Sequence, residues 1–337
     1  MKKIENIQKT SFLKKLFIKL CRIFGYEIID QANFRSPTLK KSLNETLSVP
    51  GHKSITIPLG LINITRKVKI FKIILRTCTS ELIMDQNKRR LFDYEKNEYT
   101  FRTLKSLIRA TSLAKNIFKN IKFEFIVTDT NSTKNDVVKI KELLDQADID
   151  TKFLSIDIKD FENKIKPGYS KAKFSNMANF YNSLLMAKNE DSDVIYFVED
   201  DYIHSSNSII EMIFSYEKFS TVFNTDPVLL PSDYPYLYTK DEPTKIYLGE
   251  KYHWRLVSES LVTFMTSGKL IKENFINLET MGIEWIDPWE KPLHEIYKKN
   301  PCLSPLPSLA FHCANINSVF GVSPNIDLKK LWDENKN

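Results

Sequence analysis

Three carboxylates stand side by side in the run VEDDY: Glu199, Asp200 and Asp201, directly after the apolar residues 194–198. Adjacent carboxylates repel, and burying them without a partner is costly. At the end of a core strand the natural partner is a divalent cation. Consecutive acids there supply one or two oxygens to Mg²⁺ or Mn²⁺, and substrate phosphates complete the shell. The plainer explanation is that the acids cap the helix that follows, SSNSIIEMIFSYEKF. Ser205 or Ser206 already supplies that cap, so the triplet is not needed for it. Two further apolar runs end on polar residues in the same way: VKIFKIIL stops at Arg76-Thr77, and KFEFIVT stops at Asp129.

Strands must hold these positions, and the sequence supplies them alternately with helices. An apolar strand begins at Lys69, a second covers 122–129 and a third 151–158. Amphipathic helices are expected over 101–117, 135–147 and 173–189, and the acid-ended strand follows the last of them. Strand–helix alternation of this kind predicts an α/β fold with a mostly parallel central sheet and helices on both faces. In open sheets of that class ligands bind at the carboxyl ends of the strands, where Arg76, Asp129 and the acid triplet fall.

In this order and with this motif, residues 69–315 resemble the nucleotide-sugar glycosyltransferases of the GT-A fold. VEDDY looks like the EDD variant of their DxD motif, which holds the metal that bridges the donor diphosphate. The resemblance implies Mn²⁺ or Mg²⁺ as cofactor and a UDP- or GDP-type sugar as donor. It also implies a glycan or lipid-linked acceptor, as in bacterial surface-glycan synthesis. By the same resemblance Asp201 is the main metal ligand, and Glu199 or Asp200 faces the ribose and metal. Arg76 and Thr77 sit beside the base, and Asp129 faces the ring or ribose. Asn179 and Asn182 either hydrogen-bond the nucleotide or lie on a solvated face. A late histidine completes the metal shell in several such enzymes, and His312 is the candidate here, against a plain core role. Inverting members use an Asp or Glu at the start of a late helix to deprotonate the acceptor, which points to Glu284 or Asp287. Asp287-Pro288-Trp289-Glu290 also reads as a helix cap with Pro at its first position. That gives Asp287 a structural duty and favours Glu284 as the base. A retaining enzyme needs no such base.

Aromatic residues crowd the second half, among them Tyr234, Tyr236, Tyr238, Tyr247, Tyr252 and Trp254. They suit an acceptor-sugar platform or a β-rich core. Trp285 is a further candidate floor for the acceptor, and Arg255 for a phosphate or sugar carboxylate. His204 is expected on the first turn of the helix after the triplet. The alternative activities are nucleotidyl transfer, usually accompanied by a Gly-rich phosphate loop, and non-catalytic carbohydrate binding. Neither GxxxxGK[ST] nor GxGxxG occurs.

The 337 residues carry 49 Lys and Arg against 42 Asp and Glu, mixed along the chain, which argues against nucleic acid as a partner. Four cysteines form no CxxC pair, so a zinc ribbon is not expected. Residues 12–24, FLKKLFIKLCRIF, place Leu13, Leu16, Phe17, Leu20 and Phe24 on one helical face and Lys15, Lys19 and Arg22 opposite. Such a helix either lies in an anionic membrane surface or packs on the protein's own core. The expected organisation is an N-terminal helix and connecting region over 1–68, a catalytic domain over 69–320 and a tail over 321–337. The expected location is the cytoplasm, with peripheral contact on the inner face of the plasma membrane.

Overall fold

The computed structural model describes residues 12–24, 63–80, 90–189, 192–234, 244–313 and 326–336. The chain divides into two compact units, residues 1–64 and 65–337. In the first, helix α1 covers Phe12–Ile23. The rest of the expected connecting region up to residue 62, and Tyr236 and Tyr238 of the aromatic stretch, lie outside the described residues.

The second unit begins with alternating strands and helices: β1 (Ile70–Thr77), α2 (Lys96–Ile117), β2 (Lys122–Asp129), α3 (Lys134–Asp145), β3 (Asp150–Ser155), α4 (Lys171–Asn189) and β4 (Val194–Glu199). The four strands pair in parallel in the order β3-β2-β1-β4. Seven of the eight β1 residues are buried without alternation, as expected of a strand covered on both faces. The start of α3 is fixed locally: the Thr133 side chain accepts a hydrogen bond from the Asp136 amide.

After β4 the chain forms β5 (Tyr202–His204), α5 (Ser208–Phe223), β6 (Val228–Leu229), β7 (Ile246–Leu248), β8 (His253–Val257) and β9 (Phe264–Ser267). Four short helices follow: α6 (Gly268–Glu273), α7 (Phe275–Leu278), α8 (Thr280–Ile283) and α9 (Lys291–Tyr297). Strands β10 (Cys302–Leu306) and β11 (Ala310–His312) and helix α10 (Leu328–Asp333) complete the described chain. The full sheet runs β3-β2-β1-β4-β9-β6-β10-β8-β7. The α/β architecture is the one expected. Its parallel character lies mainly in the first half; β9 joins β4 and β6 antiparallel, β6 pairs β10 in parallel, and β7, β8 and β10 pair antiparallel in turn.

Two local expectations change. His204 is not on a helix: it lies in β5, which pairs with β11 far along the chain. Helix α5 starts at Ser208 behind Asn207, so neither Ser205 nor Ser206 is its cap. Ser205 instead donates from its hydroxyl to the Leu309 carbonyl and so ties the start of α5 to β11.

Gly282 on α8 sits where α8 meets α4. A Cβ there would come 2.5 Å from the Tyr181 Cβ. At the other end of the unit, Trp332 of α10 is fully buried, in the segment that the sequence sets aside as a tail. It stacks on Phe92 at 4.3 Å, and the Arg102 guanidinium lies 4.4 Å from its ring centre. Arg102 also donates to the Trp332 carbonyl at 2.8 Å. Trp332→Ala is therefore expected to cost roughly 3–5 kcal/mol of stability, read as a fall in the urea midpoint. A change under about 1 kcal/mol would show that α10 contributes little to the unit.

Candidate functional site

Strand order turns at β1. From there the chain proceeds through β2 and β3 on one side and returns to β4 on the other. The carboxyl ends of β1 and β4 thus flank a switch point, where open α/β sheets form a ligand crevice. Register brings the candidates together there: Arg76 faces Glu199 across β1 and β4, and Thr77 faces Asp129 across β1 and β2.

Arg76 is 4% exposed. Its Nη1 donates to Asn176 Oδ1 of α4 at 2.9 Å, and its guanidinium lies over the Phe180 ring at 5.1 Å. Nη2 stands 3.4 Å from Glu199 Oε1 but, like Nε, has no hydrogen-bond partner. Burial lowers the Arg76 pKa, and the charges of Glu199, Asp200 and Asp201 work against that shift. Burial also raises the Glu199 carboxyl, with Arg76 opposing. Thr263, just before β9, accepts from the Glu199 amide and donates to its carboxylate, which holds the side chain at the mouth.

The three acids have three environments. Asp200 turns toward α2: it accepts from Thr100 Oγ1 at 2.9 Å and from the Cys78 amide, with Lys96 Nζ at 4.0 Å. These bonds give it a structural role, tying the end of β4 to β1 and α2. Asp201 meets His312, with Oδ2 and Nε2 3.2 Å apart. The pairing of β5 with β11 sets this contact, since His312 lies opposite Tyr202 and stacks on its ring at 4.6 Å. Burial pushes the Asp201 carboxyl up, but His312, Lys96 and Arg90 outweigh it and leave the pKa lowered. The partner shift agrees in sign: burial opposes the imidazolium, yet Asp201 and Glu199 raise the His312 pKa.

Two buried atoms of this pair, Asp201 Oδ1 and His312 Nδ1, have no hydrogen-bond partner. An open carboxylate oxygen beside an imidazole is a donor set that suits Mn²⁺ or Mg²⁺ if phosphate oxygens and water fill the rest of the shell. Among the described residues no group of three His, Cys, Asp or Glu side chains converges into a complete metal cage. Asp201 and His312 would be the described residues' share of such a shell.

Asp129 is buried at the end of β2. It accepts from the Thr77 hydroxyl at 2.7 Å and from the Ser132 hydroxyl and amide, and burial raises its pKa. Asn179 donates to the Thr128 carbonyl at 2.9 Å, while its buried Oδ1 is without a partner. Asn182 points elsewhere, to the Met186 sulfur. His204 has a plain core role: it bonds Tyr196 Oη at 2.8 Å, and burial pulls its pKa down to about 3.

The late carboxylates fall out differently from the sequence reading. Glu284 follows α8 and forms a 2.6 Å ion pair with Lys166, both half-exposed, so it does have a local duty. Asp287 does not cap α9. That helix begins at Lys291, and the Glu290 carbonyl accepts from the Leu293 and His294 amides. Asp287 opens instead on a cleft of about 700 Å³ shared with Glu259, His294 and Lys298, whose lining includes none of Arg76, Asp129 or Asp201. Glu290, partly buried just before α9, feels the charge of Glu199. Burial raises its pKa to about 7, with a bond from its own amide opposing and the charges of Glu199 and Asp287 adding. Beside it, Trp289 stacks on Trp285 at 5.0 Å, nearly parallel, and donates to the Met281 carbonyl. Trp285 is only partly buried and carries Lys173 over its ring. Trp254 and Tyr234 are core residues, and Arg255 pairs with Asp233 at 2.8 Å, so the acceptor roles considered for them give way to packing.

The sequence reading did not single out Asn176 or Thr263, and it gave Glu290 only a capping role. Asn176 lies one turn before Asn179 on α4, a signal that was present. Nothing local marks the other two.

No protein-family model matches the chain, and no curated protein sequence does. Solved structures give partial superpositions. The chain is similar to S. aureus TarS 1-349 in complex with UDP, at 16% identity over 69% of this chain and 57% of that one, with a TM-score of 0.37. It spans about a third, 34%, of the longer TarS structure. It is also similar to the galactosyltransferase LgtC with donor and acceptor sugar analogs, at 11% identity over 67% and 66%, with a TM-score of 0.33. The inositol-1-phosphate CTP transferase of T. maritima superposes at 10% identity over 80% and 96%, with a TM-score of 0.37. At these values the functional reading rests on the site itself.

Proposed function

We propose that the chain is a metal-dependent glycosyltransferase of hexosyl type, moving a sugar from a nucleotide donor to a hydroxyl acceptor on a glycan or lipid-linked chain. The observation that carries this reading is the switch-point mouth. A buried arginine whose Nε has no hydrogen-bond partner, a buried aspartate and the Asp201–His312 pair lie at or just beyond the neighbouring ends of β1, β2 and β4. Arg76 would face the charge of the diphosphate. Asp129, oriented by Thr77 and Ser132, and the free Asn179 Oδ1 would meet the nucleoside. Asp201 and His312 would hold Mn²⁺ or Mg²⁺, which when bound supplies Lewis-acid screening of the diphosphate leaving group. Glu290 would take the acceptor proton, because its raised pKa suits a base working near neutrality. Trp285 has Trp289 stacked on one ring face and Lys173 over the other, so no ring face is assigned to the acceptor sugar.

Nucleotidyl transfer is the second reading, because a site that holds a nucleotide diphosphate and a metal can serve either reaction. Product analysis separates the two. A glycosyltransferase releases UDP or GDP from a panel of nucleotide sugars in the presence of Mn²⁺. A nucleotidyltransferase releases pyrophosphate from nucleoside triphosphates and a sugar phosphate. Pyrophosphate release with no nucleoside diphosphate release would replace our proposal with the second reading.

A further inference from the structure

Helix α1 has an apolar face whose described residues are exposed. Phe12, Leu13, Leu16, Phe17, Leu20 and Phe24 are all exposed, Phe12 to 79%, Phe17 to 59% and Phe24 to 74%. At about 100° per residue, these side chains and the exposed Ile23 span an arc of about 140°. By the same spacing the sequence assigns Lys14, Lys15, Lys19 and Arg22 to the remaining arc, together with Ile18 and Cys21, and residues 12–24 contain no acid. Lys19 is itself exposed. A free surface of large apolar groups in water is unfavourable unless something covers it for part of the protein's working life.

Length and charge decide what covers it. The 12 residues of α1 extend about 18 Å, well short of the roughly 30 Å hydrocarbon core of a bilayer, so the helix does not cross one. Against a second copy, a strip of that length and helical width offers roughly 200 Å², far below the roughly 800 Å² per partner of a stable interface. Two such helices would also bring like charges together. A bilayer surface meets both demands. The apolar arc enters the headgroup–acyl boundary, and the basic flank faces anionic headgroups.

We infer that α1 is an interfacial anchor that seats this chain on an anionic phospholipid surface. The inference is independent of the nucleotide site, and binding alone tests it. The full chain is sedimented with vesicles of phosphatidylcholine alone, and with vesicles in which about a third is phosphatidylglycerol. The expected result is strong co-sedimentation with the anionic vesicles, reversed at 1 M salt, where the screening length falls to about 3 Å. The triple variant Lys15→Gln, Lys19→Gln, Arg22→Gln should bind about 100-fold more weakly. Phe17→Ser with Leu20→Ser should lose at least about 10-fold. Both variants should keep the thermal midpoint of the parent.

Three outcomes overturn the inference. One is equal binding to neutral and anionic vesicles. Another is a Phe17/Leu20 variant that melts well below the parent, since the face would then be packed on the protein's own core. The third is a dimer by light scattering that depends on α1, with no vesicle binding.

Discussion

Glu290→Gln is expected to lower kcat by at least about 100-fold, with donor affinity nearly unchanged. The substitution keeps size and polarity and removes only the ability to take a proton. The pH dependence makes the expectation specific. A base must be ionised, so kcat/KM of the parent should rise with pH through about 7, the value to which burial and the neighbouring acids lift Glu290. The variant should show no limb at that pH. Stability should move the opposite way. A carboxylate whose folded-state pKa lies above its unfolded value favours folding fully only below the unfolded pKa, and that contribution is lost as pH rises through the folded pKa. At pH 8 the parent therefore holds an unfavourable, partly buried charge that the variant lacks. Glu290→Gln should be more stable there by roughly 2 kcal/mol, and less so at pH 5. Glu284→Gln loses only a half-exposed pair with Lys166, worth under about 1 kcal/mol, and should leave kcat near that of the parent. Asp287→Asn should also remain active. A dead Glu284 or Asp287 variant beside an active Glu290 variant would return the base to the position the sequence suggested.

Asp201→Asn is expected to weaken Mn²⁺-dependent nucleoside diphosphate binding by at least about 100-fold. Asparagine preserves shape but removes the charge that the cation and His312 share. His312→Gln should produce a smaller loss of the same kind, because Asp201 Oδ1 is still available. Calorimetry with UDP and GDP, with and without Mn²⁺, reads both effects, and circular dichroism confirms that each variant is folded. Undiminished metal-dependent binding in Asp201→Asn would remove the metal role from this residue. Asp200→Asn serves as the contrast. Its bonds run to Thr100 and the Cys78 amide, so its loss should appear mainly as reduced stability.

The first half of the fold was legible because its chemistry is local. Apolar runs end abruptly at Arg76-Thr77, Asp129 and Glu199, and the helices between them keep a clear period. The boundaries of β2 and the start of β4 follow from those endings, while β4 runs past the apolar stretch read for it, to Glu199. What the sequence did not carry was anything set by distant pairing. His204 sits directly before a serine-rich helix start and looks helical, yet the three-residue strand β5 exists only because β11 pairs with it. The same pairing joins Asp201 to His312 and turns Asp200 away, so one line of three acids hides three different roles. Asp287-Pro288 has the composition of a cap, but the chain delays the helix to Lys291 and moves Glu290 to its start. The burial of Glu290 then depends on tertiary packing that no window of sequence displays. Trp254 and Tyr234 illustrate the converse. Aromatic residues suit a sugar platform and a β core equally well, and only burial in the folded unit shows that these two are core.

The central claim is that a nucleotide diphosphate lies over the carboxyl ends of β1 and β4 with a metal at Asp201. Anomalous diffraction from crystals soaked with UDP and Mn²⁺ tests it most directly. Our account expects a manganese peak in contact with Asp201 and His312, the diphosphate between that peak and Arg76, and the nucleoside over Asp129. A nucleotide bound in the cleft beside Asp287 and His294, or manganese bound away from Asp201, would contradict it.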